Sequence, residues 1–274
     1  RLPLTPASNQ NTLDSAHSKF KRGSIYDRLV GNGRSNDISM TKVWAEVFEL
    51  PPDSPHLEDD VVTCLQATRS EIELLRSKLQ AIGAPENLMH PGLTRFRNIT
   101  STAYINQAWN GLREEASKPE NRLSFAWANW TLRDESEDDM PDDELAALRS
   151  ELDSLEASLQ DTEMTPYLRG FIRRQIDAIR TALKLYRVQG VKLIEEALHQ
   201  VAGAYTVEKS RVEAEHANAS EPAKSLLART GAAIKKTAEI ADSLDKIKKA
   251  GESAYTLAAS VAPMVLPYVQ NLLK

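Results

Sequence analysis

The sequence predicts an all-α protein: a multi-helix bundle of antiparallel amphipathic helices with a flexible N-terminal arm and an apolar, proline-kinked C-terminal segment. Three observations predict it. Apolar side chains recur at alternating three- and four-residue steps in one segment after another, the period that lays them on a single helical face. Ser-Pro, Thr-Pro and Gly punctuate the starts and stops of those segments. Alternating apolar and polar runs are short, and only 11 glycines serve 274 residues, so strands and tight hairpins have little to build on.

Residues 1–40 read as a flexible or partner-ordered arm, because Pro3, Pro6, Gly23, Gly31 and Gly33 lie among Ser and Asn without a sustained period. Within it, Ile25, Tyr26, Leu29 and Val30 can form a helical turn that orders on a partner or on the chain's own body. Residues 41–133 form an N-terminal helical region. Val43, Trp44, Val47 and Phe48 make a short helix that Pro51-Pro52 ends. Ser54-Pro55 supplies an N-cap and a first-turn proline, and Glu58, Asp59 and Asp60 follow where the helix dipole favours acids. Val61, Leu65, Thr68, Ile72, Leu75, Leu79 and Ile82 then run along one face of a long helix closed by Gly83 and Pro85.

After Pro91-Gly92 the spacing predicts one helix carrying Phe96, Ile99, Ala103, Asn106, Trp109 and Leu112, with Asn106 as a polar register-setting residue on an apolar stripe. Pro119 opens a helix whose core stripe is Leu123, Trp127 and Trp130. Residues 134–144 are an acidic linker holding Asp134, Glu135, Glu137, Asp138, Asp139, Asp142, Asp143 and Glu144. Residues 145–205 are a helical hairpin plus a short helix. Leu145, Leu148, Leu152, Leu155 and Leu159 form the first stripe. Thr165-Pro166 starts the second, which carries Leu168, Ile172, Ile176, Ile179, Leu183 and Tyr186. Gly190 breaks the chain before Val191, Ile194, Leu198 and Val201, a helix expected to stop near Gly203.

Residues 206–274 are a basic amphipathic helix and an uncharged tail. Leu226, Thr230, Ala233, Thr237, Ile240, Leu244 and Ile247 form a stripe that is half small or polar, while Gly231, Ala232, Ala238 and Ala241 permit close approach of another helix. From Ser253 to Leu273 the chain runs 21 residues without a charge, in a protein that is 27% charged. Tyr255, Leu257, Val261, Met264, Val265, Leu266, Tyr268, Val269, Leu272 and Leu273 are its interface or membrane candidates.

Composition narrows the chemistry. A net charge of −5 argues against a dedicated nucleic-acid binder. A single cysteine, Cys64, excludes an internal disulfide and suits a reducing, cytoplasmic compartment, with peripheral membrane association as the other expectation. The first 20 residues lack the apolar core of a signal peptide, but the chain does not begin with Met, so this leaves its compartment open. No cofactor, metal or small-molecule ligand is expected. Gly31-Asn-Gly-Arg-Ser35 lacks the rest of a phosphate loop, and His17, His56, His90, His199 and His216 are too dispersed for a zinc helix.

Two sets of residues remain as sites. Arg169, Arg173, Arg174, Arg180, Lys184 and Arg187, followed by Lys192, meet only Asp177 as an opposing charge in sequence. Those of the first run offer a site for an acidic partner, RNA or lipid headgroups, or simply neutralise the neighbouring acids or solvate a surface; with Lys235, Lys236, Lys246, Lys248 and Lys249 they make up the candidate surface for an acidic partner or lipid headgroups. Arg211-Val-Glu-Ala-Glu-His216 has an Arg-x4-His spacing that resembles the site of helical HEPN-type ribonucleases. The resemblance implies His216 as acid/base and Arg211 as the group that steadies phosphate charge, although Val212 departs from the polar residue usual after that arginine.

The expected function is therefore a non-enzymatic helical interaction or assembly protein whose C-terminal segment packs into its own bundle or into a subunit interface, with a protein partner or self-association expected. The alternatives are a membrane-permeabilising effector with a conditionally released tail, as in bacterial defence, and a HEPN-like ribonuclease. Magnitudes favour the first. The continuously apolar part, Ala258–Leu266, is only about 13 Å long as a helix against a hydrocarbon core of about 30 Å. Pro263 and Pro267 each remove a backbone donor, a loss that lipid cannot make good.

Overall fold

A computed structural model describes residues 21–31, 33–132 and 140–244, and these are all-helical apart from turns and one isolated antiparallel bridge. The chain divides into two compact units, Arg1–Asp139 and Met140–Lys274, a division that falls inside the acidic stretch 134–144.

The first unit holds α1 (Lys21–Val30), α2 (Met40–Phe48), α3 (Leu57–Ala81), α4 (Glu86–Ile99), a single 3-10 turn (Thr102–Tyr104), α5 (Asn110–Ala116) and α6 (Pro119–Thr131). Part of the expected arm thus belongs to the body of the protein: Ile25, Tyr26 and Leu29 are buried, and α1 packs on α2, α5 and α6. Residues 1–20 lie outside the described residues. Tyr26, Phe96 and Phe125 form an aromatic cluster with ring centres 5.0–5.9 Å apart, and Trp44 joins it edge-on through Phe96 at 6.5 Å. The α3 stripe is buried from Val61 to Leu79, but Ile82, expected to continue it, is exposed where Gly83 turns the chain at φ 74°.

Four expectations for this unit are corrected. Ser54-Pro55 forms a turn, with the Ser54 hydroxyl accepting from His56 N, and α3 begins two residues later at Leu57. Pro91-Gly92 does not separate helices. Both lie inside α4, because Met89, Leu93 and Phe96 bury as one stripe whose packing outweighs a single missing donor. The long helix through Asn106 does not form: residues 105–110 run beside residues 36–41 instead. Met40 N donates to Gln107 O at 2.8 Å and Thr41 N to Ile105 O at 2.9 Å, which satisfies first-turn amides of α2 that have no partner within the helix. Asn106 is consequently exposed. Finally, α6 is rotated relative to the expected core face. It buries Asn121, Ser124, Phe125 and Ala128, leaving Leu123 69% and Trp130 65% exposed with Trp127 half-buried.

The second unit is an antiparallel four-helix bundle of α7 (Asp142–Asp161), α8 (Pro166–Gln189), α9 (Lys192–Ala217) and α10 (Glu221–Leu244). Each helix packs on the next in sequence, and α10 closes the ring against α7. The α7/α8 hairpin follows the sequence: all five leucines of the first stripe are buried, as are Leu168, Ile172, Ile176, Ile179, Leu183 and Tyr186 of the second. Its register is visible in Arg149 donating to Leu183 O, Arg180 to Leu152 O and Arg169 to Leu159 O, since one number falls as the other rises. Thr165 caps α8 by accepting from Leu168 N, and Gly190 ends it at φ 75°. Tyr186 Oη accepts from Met140 N at 2.6 Å, fastening the start of the bundle.

The helix expected to stop near Gly203 runs on to Ala217. Val201, Tyr205 and Val212 continue its buried face, and one mid-helix glycine costs only about 1 kcal/mol. On α10 the half-polar stripe from Leu226 to Leu244 is buried throughout, with Gly231, Ala238 and Ala241 beside it. Thr230 and Thr237 are accommodated because their hydroxyls donate to Leu226 O and Ala233 O, one turn back.

Candidate functional site

One cluster of charged and titratable side chains joins α8 to α9. The Tyr167 hydroxyl donates to Glu208 Oε2 at 2.6 Å, Arg174 reaches both Glu208 oxygens at 2.9 Å, and the Arg211 guanidinium lies 3.7 Å above the Tyr167 ring. Tyr167 and Arg174 stand two turns apart on α8; Glu208 and Arg211 stand one turn apart on α9. The Tyr167 hydrogen bond, aided by Arg174, holds the Glu208 carboxyl below its ordinary range, while burial and the Glu208 charge push the Tyr167 phenol up. Both shifts act in the same sense, favouring the ionised carboxylate and the neutral phenol. Such an arrangement locks two helices together; it offers neither a base poised near neutrality nor an activated nucleophile.

Arg211 and His216 have different neighbours. Five residues along a helix is about 140° around its axis, so the two side chains leave α9 in different directions. Arg211 stacks on Tyr167 of α8, whereas His216 is half-buried near Lys224 and Glu221 of α10. Burial chiefly, and then the Lys224 charge, lower the His216 pKa.

The basic stripe of α8 turns to its neighbours. Arg169 donates to the Leu159, Gln160 and Thr162 carbonyls, closing the C-terminus of α7. Arg173 lies 3.6 Å from Glu156, and Arg187 pairs with Asp142. Arg180 lies within 4 Å of Asp153, Glu156 and Asp177. Lys184 is half-buried, and Lys192 meets Glu196 at 3.7 Å. On α10, Lys235 faces Glu239 at 3.7 Å and Lys236 is exposed. Lys246, Lys248, Lys249 and every candidate from Tyr255 to Leu273 lie outside the described residues.

Sequence reasoning missed Tyr167 and Glu208, whose pairing depends on the register of two helices. It also missed the buried polar lock of the first unit. There Asn121 Oδ1 accepts from Arg95 at 3.0 Å, and Asn121 Nδ2 donates to Glu115 O and Ala116 O at 2.7 and 3.0 Å. Among the described residues no group of three or more His, Cys, Asp or Glu is placed to hold a metal ion, and no helix is long and apolar enough to cross a membrane. An open recess of about 470 Å³ in the second unit is lined by Ser158, Asp161, Thr162, Glu163, Ser220 and Pro222, with no histidine or cysteine in its wall. Comparison with protein-family models, with curated proteins and with solved structures finds no match.

Proposed function

We propose that this chain is a non-enzymatic helical interaction or assembly protein, and that its uncharged segment Ser253–Leu273 supplies the contact. The carrying observation is that segment itself: 21 uncharged residues in a chain otherwise rich in charge. Apolar surface left in water costs about 25 cal/mol per Å², so such a segment seeks cover. The charged clusters support the same reading, since the α8 arginines pair within the bundle and Arg211 and His216 point apart.

A second reading is favoured by Lys246, Lys248 and Lys249 preceding the uncharged run, which would place cations beside anionic headgroups as the tail enters the interface. Liposome flotation separates the two. Assembly predicts that the full chain stays with the soluble fraction while a chain ending at Gly251 loses mass in solution. Flotation on anionic vesicles that disappears in the shortened chain favours membrane engagement.

A further inference from the structure

We draw no further inference here: the strongest candidate, the open recess of the second unit lined by Ser158, Asp161, Thr162, Glu163, Ser220 and Pro222, has only exposed or half-buried walls whose hydroxyls donate to main-chain carbonyls, and nothing there points to a ligand.

Discussion

Tyr26 and Asn121 donate to the same carbonyl: the Tyr26 hydroxyl and the Asn121 side-chain amide each lie 3.0 Å from the oxygen of Ala116. Ala116 ends α5, Asn121 stands in the first turn of α6, and Tyr26 arrives from α1, so one acceptor ties three helices at a buried corner. Because the acceptor is shared, its two donors have unequal value. Tyr26→Phe leaves Ala116 O still bonded and should cost about 1 kcal/mol. Asn121→Ala removes three hydrogen bonds from a fully buried site and should cost about 2–4 kcal/mol. Urea unfolding of the two variants checks the order; equal losses would contradict the shared-acceptor account.

Two helical glycines should respond oppositely to the same substitution. A Cβ at Gly92 would stand 2.5 Å from Ser124 Cβ and Oγ, so Gly92→Ala must push α4 and α6 apart. The overpacking cost of about 1–3 kcal/mol should exceed the gain in helix propensity of about 1 kcal/mol. Around Gly203 a Cβ meets nothing within 4 Å, and Gly203→Ala should stabilise by up to about 1 kcal/mol. Thermal unfolding midpoints moving in opposite directions would bear this out.

Gln175 is 2% exposed in the core of the bundle, and its Oε1 has no hydrogen-bond partner among the described residues. Burying an unsatisfied amide oxygen costs about 1–3 kcal/mol. Gln175→Met keeps the length of the side chain and discards that cost, so the variant should unfold at higher urea than the parent. A lower midpoint would mean that the amide makes a bond this account omits.

The His216 pKa, lowered mainly by burial, fixes the sign of a pH effect. The unfolded chain binds the proton more readily than the folded one, so stability is complete above the ordinary imidazole value near 6.5 and falls as pH drops through it. His216→Gln should flatten the change between pH 8 and pH 5. Lowered Glu208 and Glu115 act further down, below the ordinary carboxylate value, where protonation removes their contribution. Denaturant midpoints measured across the range for both chains provide the comparison.

The fold was legible where burial alone decides it. The leucines of α7 and the Ile-rich stripe of α8 kept their 3-4 spacing through the hairpin, and Thr165 and Gly190 marked its ends. It was illegible where long-range contacts compete with local pattern. Leu123, Trp127 and Trp130 match a helical stripe as well as the face carrying Asn121, Ser124, Phe125 and Ala128 does. The polar pair on the latter face is buried because Arg95 and the carbonyls of Leu88, Glu115 and Ala116 wait for it. Asn106 shows the same limit, since a helix through it would leave the first amides of α2 without partners. For the candidate site, the arginines of α8 were visible as a basic run. Their partners Glu156, Glu208 and Asp142 sit on other helices, and only the bundle's register brings them together.

The central claim, that residues 253–273 serve assembly, is tested most directly by sedimentation velocity at low micromolar concentration. The full chain is compared with one ending at Gly251. The account predicts a species heavier than one copy for the full chain and a monomer for the shortened chain. Two identical monomers would contradict it.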